Sequence, residues 1–327
     1  MKTIKHLIFL SLVLIFFSCT DDSILDSPNQ APEINPRFQK TQEVIIDQTS
    51  RIAKSASNAE QFMADVNNSL QAQGLALQMS AIESYGADGM GTQFFFNNTG
   101  NKQLTADFVP GDARRGGFID IAFARDGTEG ATSSGLTQGD TDAAILSAMN
   151  TWDNITCSQG LVLNNLGSSG FDLGYVEALV TGGAQGSFFF TDLMHSGFNT
   201  TVTDAVFGPG SSVLGVAFTF VWIDLSTGLP TDIDNNGKDD VAFRDIYYND
   251  SFSWAIGANI DVETVALHEA GHGLSQAHFG KLHQTGNGKF HFSPRAVMNA
   301  GYTGVNTVIT ATDNAGHCSN WGSWPNN

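Results

Sequence analysis

The eleven residues His268-Glu269-Ala270-Gly271-His272-Gly273-Leu274-Ser275-Gln276-Ala277-His278 constrain the fold of this chain more than any other stretch. Residues four apart on an α-helix share a face, so His268 and His272 can offer two imidazoles to one metal ion. Asp261, seven residues earlier, is placed to cap that helix. Glu269 can reach a water beside the metal without being a ligand itself. His278 cannot come from the same helical face. The helix must therefore end between Gly273 and Ser275, and the chain must turn back to deliver a third nitrogen. Three imidazoles at this spacing predict an open tetrahedral zinc site whose fourth position is kept for water. At such a site the metal acidifies the water, and Glu269 is the expected general base that takes its proton.

This stretch resembles the signature of the metzincin zinc metallopeptidases, in particular the matrixin-like branch, whose pattern HExxHxxGxxH is followed by a methionine-containing turn. Ser293-Pro-Arg-Ala-Val-Met298 follows at a compatible distance, which makes Met298 the Met-turn residue. Ala300-Gly301-Tyr302 stands where the family has a Pro-x-Tyr wall lining the substrate pocket. Tyr302 matches and Ala300 does not. Ser275 replaces the family's glycine at a turn that favours positive φ, so it carries some backbone strain unless the turn shifts to Gly273. The resemblance runs from about Val213 to Tyr302, extends back toward Phe118, and is absent before Gln103. It implies an α+β fold: a twisted mixed sheet, an active-site helix and a small C-terminal lobe. In it Asp140 to Ile155 is the first helix, capped by Asp140 or Thr141, and Leu214 to Phe220 is the edge strand that receives an extended protein substrate. No cysteine-switch motif precedes the domain.

With 33 acidic against 15 basic residues the net charge is −18, which argues against nucleic acid as a partner. Hydrophobic residues make up 41% and charged residues 15%, enough apolar matter for a packed core. At the N-terminus, Lys2 and Lys5 precede the apolar run Leu7 to Phe17, too short to span a bilayer and typical of an export signal. Ser18-Cys19 after that run resembles a bacterial lipobox, although Phe16 departs from the usual aliphatic residue. The expected organisation is a signal peptide over 1–18, a tether over 19–40 beginning at a lipidated Cys19, a helical pro-segment or accessory region over 41–108, and a catalytic domain over 109–327. An ordinary cleaved signal with Cys19 incidental is the alternative. The location is then the outer membrane or cell surface through a lipid anchor, or the exterior as a secreted monomer.

In the segment from Thr41 to Tyr85, apolar residues such as Ile52, Phe62, Val66, Leu70, Leu77 and Ile82 recur at helical spacing and predict helices broken near Gly74. Short apolar runs after Gly117, among them Phe118 to Phe123, Tyr175 to Val180 and Val213 to Ile223, predict strands. Cys157 and Cys318 form an even pair in an exported chain, open to a disulfide or to two free thiols.

A second metal candidate is Asp232-Ile-Asp234-Asn-Asn236-Gly237-Lys-Asp-Asp240, whose oxygen donors suit calcium and whose residue types also make ordinary turns. Phe243 occupies the position of the bidentate glutamate of an EF-hand loop. His195 with Asp192 is a weaker suggestion of a structural metal site. The sequence thus points to a zinc endopeptidase of protein substrates outside the cell. The alternative is a catalytically inactive binding or adhesion module that keeps the fold.

Overall fold

Val213–Asp224 and Asp239–Tyr248, two long runs rich in β-branched and aromatic residues, pair antiparallel at the centre of the molecule. The computed structural model describes residues 35–40, 59–87, 93–95, 104–181, 189–286 and 290–326. Cys19, the signal and lipobox residues and the apolar positions before 59 lie outside them.

In chain order the elements are β1 (Gln39–Lys40), α1 (Ala59–Ala72), β2 (Leu77–Gly86), β3 (Gln93–Phe95), β4 (Ala106–Asp107), β5 (Ile121–Arg125), α2 (Gln138–Asp153) and β6 (Leu163–Ser168). There follow α3 (Tyr175–Thr181), β7 (Phe189–Phe190), β8 (Leu193–Phe198), α4 (Thr200–Phe207), β9 (Val213–Asp224), β10 (Leu229–Pro230) and β11 (Asp239–Tyr248). The last are β12 (Trp254–Ala255), β13 (Ile260–Asp261), α5 (Val262–Gly273), β14 (Lys281–Gln284), β15 (Phe290–Ser293) and α6 (Ala311–Trp321).

The fold is α+β. One large twisted sheet has the order β3-β2-β9-β11-β8-β5-β6, with β10 paired to β9 and β4 to β11. It is mixed: β11, β8, β5 and β6 run parallel, whereas β9 is antiparallel to both its neighbours. Each face is covered. On one, α2 and α5 bury Trp152, Met149 and Leu267 against Leu214 and Ala217. On the other, α1, α3 and α4 bury Phe62, Val66, Leu179 and Val202 against Val216, Phe218 and Phe220. From Val216 onward period-2 alternation along β9 serves both cores, and a register shift where Gly86 meets Val213 sets Leu214 on the opposite face from Val216.

Four sequence expectations change. First, Leu77 to Gly86 is a ten-residue strand and not a helix. Gly74 at φ +66° ends α1, and a register shift between Met79 and Ala81 hides the strand period. Second, β9 is not an edge strand, because β2 covers its outer side over its length. Third, Tyr175 to Thr181 is helical. Its first free N–H groups find tertiary acceptors, Asp245 Oδ2 for Val176 and Tyr247 Oη for Glu177, which a strand reading could not foresee. Fourth, α2 starts earlier than expected: Thr137 is its N-cap, in a capping box with Asp140.

The chain after His278 forms the β14–β15 hairpin and α6. Cys157, just beyond α2, is disulfide-bonded to Cys318 on α6 with Cα atoms 5.6 Å apart, closing a span of 161 residues.

Candidate metal centre

Helix α5 begins at Asp261, whose carboxylate accepts from Thr264 N–H at 2.9 Å. One turn further, His268 and His272 point from the same face. The helix stops at Gly273, and the chain reverses through Ser275 at φ +63° to bring His278 back. The turn has not shifted to Gly273. The strain at Ser275 is offset by bonds a glycine could not make: its hydroxyl donates to Ala106 O at 3.0 Å and receives an Arg244 N–H at 3.1 Å.

The three Nε2 atoms lie 3.0 to 3.1 Å from one another. On two of the rings the other nitrogen is engaged: His268 Nδ1 bonds Val297 O at 2.7 Å and His272 Nδ1 bonds Gln276 O at 2.8 Å. A carbonyl only accepts, so these Nδ1 atoms carry the protons and the Nε2 lone pairs of His268 and His272 face each other. Burial holds all three rings neutral, depressing His268 to about 3 and the other two well below their ordinary value. Converging neutral lone pairs repel unless a cation sits among them. The donor set therefore fits a borderline-soft ion such as zinc.

Glu269 is fully buried beside them, and among the described residues neither carboxylate oxygen has a hydrogen-bond partner. Burial, with the nearby Glu83 charge, pushes its pKa well above the carboxylate range. Glu83 of β2 is likewise fully buried and has no hydrogen-bond partner among the described residues, and burial lifts it to about 8 against the opposing pull of Arg244. Gly215 of β9 makes room for Glu269: a Cβ there would lie 2.7 Å from its Oε1.

The support is a set of residues that motif reading missed. Arg244, a lone cation in the apolar strand β11, donates to the carbonyls of His272 (2.8 Å), Gly273 (2.6 Å) and Ala106 (2.9 Å). It thus caps the carbonyl end of α5, where positive charge is favourable. Its isolation in Val-Ala-Phe-Arg-Asp-Ile-Tyr was the available signal. Asp313 of α6 accepts the N–H groups of Val297 (2.9 Å) and Met298 (3.1 Å), fixing the carbonyl that orients His268. Met298 is fully buried and packs so tightly on α5 that a Cβ at Gly271 would lie 2.3 Å from its sulfur. Tyr302 accepts from Asp261 N–H at 3.1 Å and stands edge-on to Tyr85, ring centroids 6.0 Å apart.

Elsewhere, Asp232, Asp234 and Asp240 each place a carboxylate oxygen within 4.8 Å of the others. Asp240 is also bound by Arg114 (2.7 Å) and Thr231, and Asn236 Nδ2 donates to Asp107 and Asp234. Phe243 lies in the core of β11. Asp192 and His195 do not make a shared site. Asp192 is held by Arg37 and Arg115, whereas His195 Nδ1 bonds Tyr248 Oη at 2.7 Å.

No family model matches the chain, and no curated protein matches it.

Proposed function

We propose that the chain is a zinc-dependent endopeptidase of the metzincin kind, acting on proteins outside the cell from an outer-membrane or surface lipid anchor at Cys19, or in secreted form. The observation that carries this reading is the convergence of three neutral Nε2 atoms on one point beside an unpartnered carboxylate. His268, His272 and His278 hold the ion. When bound there, zinc supplies Lewis acidity toward water and a substrate carbonyl.

The remaining work falls to the chain. Glu269, in the ionised form that a cation held by the three rings would favour against burial, takes the proton of the attacking water and returns it to the leaving amide nitrogen. Its oxygens are free for this because nothing else in the site bonds them. Val297 O and Gln276 O fix the ring orientation; Arg244 holds the end of the helix that carries both rings, and Asp313 holds the turn that carries Val297 O. Tyr302 lines the site. Asp232, Asp234 and Asp240, with Asn236 nearby, are proposed to take calcium by their oxygen donors.

The second reading, an inactive module that keeps the fold, is favoured by one observation: β2 covers the site and leaves Glu269 with no exposed surface. Metal content of the purified chain, together with casein hydrolysis with and without a chelator, separates the two. One zinc per chain and chelator-sensitive hydrolysis support the peptidase, and bound zinc with no hydrolysis under any condition supports the module.

A further inference from the structure

β9 is flanked on one side by β11, which leads into the histidine helix, and on the other by a strand from far upstream. β2 pairs antiparallel along it from Leu77 opposite Trp222 to Gly86 opposite Val213. At its end the same strand meets a second wall. Gly86 N–H donates to Ala300 O at 3.4 Å, Tyr302 N–H donates to Gly86 O at 2.8 Å, and Gly86 bridges Gly301 in parallel sense. The end of β2 is thus extended in a slot between β9 and Ala300–Tyr302.

Its side chain closes the slot over the metal candidate. Tyr85 stacks on His268 with centroids 3.9 Å apart and 10° between planes. Its partner in β9 is Gly215, the residue against which Glu269 lies. An extended segment bonded through its main chain to a sheet edge, with one aromatic ring in a pocket, is how sheet addition binds a peptide.

We infer that β2 is a built-in occupant of the peptide groove, so that the folded chain blocks itself and a polypeptide reaches Glu269 only when Leu77–Gly86 leaves β9. The purpose of the groove rests on the peptidase reading. β2 does not leave alone. Asn67 of α1 clamps both backbone groups of Met79, at 2.7 and 2.9 Å, and Ile82 shares a core with Phe62 and Val66. β3 pairs along the other side of β2, so the departing unit is α1 with β2 and β3. The occupant also describes what the groove accepts: an extended segment in which a small residue, Ser84, precedes an aromatic one, Tyr85.

Two measurements test this on the full chain. Hydrogen exchange needs no catalysis. Because an opening confined to α1, β2 and β3 leaves the rest folded, β2 amides should exchange at least about tenfold faster than those of β11. Equal rates would mean that β2 opens only with global unfolding, and the inference is then overturned. The second measurement is a lock. Ser84 and Val216 face each other across the two strands, so a Ser84→Cys/Val216→Cys pair can be oxidised to tie β2 to β9. With zinc content checked in every form, the oxidised protein should hydrolyse an unstructured peptide at least about tenfold more slowly than the reduced one. Wild-type protein taken through the same reduction controls for Cys157–Cys318. Equal turnover in both forms overturns the inference and leaves the peptidase reading standing. Turnover in neither form counts against the peptidase reading, and the exchange rates then decide the inference alone.

Discussion

The ring of Tyr85 lies flat on that of His268, centroids 3.9 Å apart, and so joins a strand near the start of the described chain to a metal-candidate residue 183 positions later. The contact shields one face of His268 and helps make Tyr85 only 4% exposed. Removing a buried aromatic ring costs about 3 kcal/mol or more. Tyr85→Ala should therefore lower the melting temperature and raise peptide hydrolysis relative to wild type, because the pocket over His268 loses its occupant. Tyr85→Phe keeps the ring and should do neither. Hydrolysis that falls in Tyr85→Ala while zinc is retained would show that the ring assists turnover and does not block it.

Ser275 offers a contest between backbone and side chain. Its φ of +63° costs an L-residue about 1 to 2 kcal/mol, which glycine would recover. Its hydroxyl makes two buried hydrogen bonds, each worth about 1 kcal/mol, and their loss leaves Ala106 O and Arg244 each short of a partner. Ser275→Ala keeps the strain and loses both bonds, whereas Ser275→Gly loses the bonds and sheds the strain. The expected order of stability by denaturant unfolding is wild type, then glycine, then alanine. Alanine above glycine would mean that the turn carries no strain.

Glu83 sets a pH dependence whose sign can be stated. Its carboxyl is raised from 4.5 to about 8 in the folded protein, so between those values the folded state binds more protons than the unfolded. Its share of the stability is intact below about pH 4.5 and is lost as pH rises through about 8. The buried histidines act in the opposite sense. His195 and His268, both depressed to about 3 by burial, contribute stability that is present above about 6.5 and lost as pH falls. The difference between wild type and Glu83→Gln removes the histidine contribution. The glutamine variant should gain in melting temperature relative to wild type from pH 5 to pH 8. A constant difference across that range would show that Glu83 is not protonated in the folded protein.

What could be read from the sequence was the local chemistry of α5. The cap at Asp261, the shared face of His268 and His272, and the need to turn back before His278 all follow from helix geometry over eleven residues, with no distant partner required. Positive φ at Ser275 is what the resemblance implies, with a turn shifted to Gly273 as the alternative, but the hydrogen bonds that stabilise it come from Ala106 and Arg244, far away in sequence. The expectation of an edge strand failed for a related reason. Leu214 to Phe220 does form a strand, but strand order is a long-range property, and β2 looked helical because both its faces are buried and a register shift breaks its period. Arg244 and Asp313 went unnoticed because each acts on main-chain groups, which leave no mark in a motif.

The last prediction separates metal binding from proton transfer. Glu269 makes no bond to any histidine ring, and each ring is oriented or approached without it: His268 by Val297 O, His272 by Gln276 O, His278 by the Nε2 atoms of the other two. Glu269→Gln has nearly the same shape and should keep stoichiometric zinc and the wild-type melting temperature. It removes the proton acceptor, and general-base assistance is typically worth about 10² to 10⁴ in rate. His272→Ala should fail differently. It takes away one of three nitrogens and empties the acceptor site at Gln276 O, so zinc content and hydrolysis should fall together. Zinc by elemental analysis and peptide hydrolysis, read on both variants side by side, give the answer. Near-wild-type turnover in Glu269→Gln would exclude it as the base, and full zinc in His272→Ala would exclude the three-histidine ligand set.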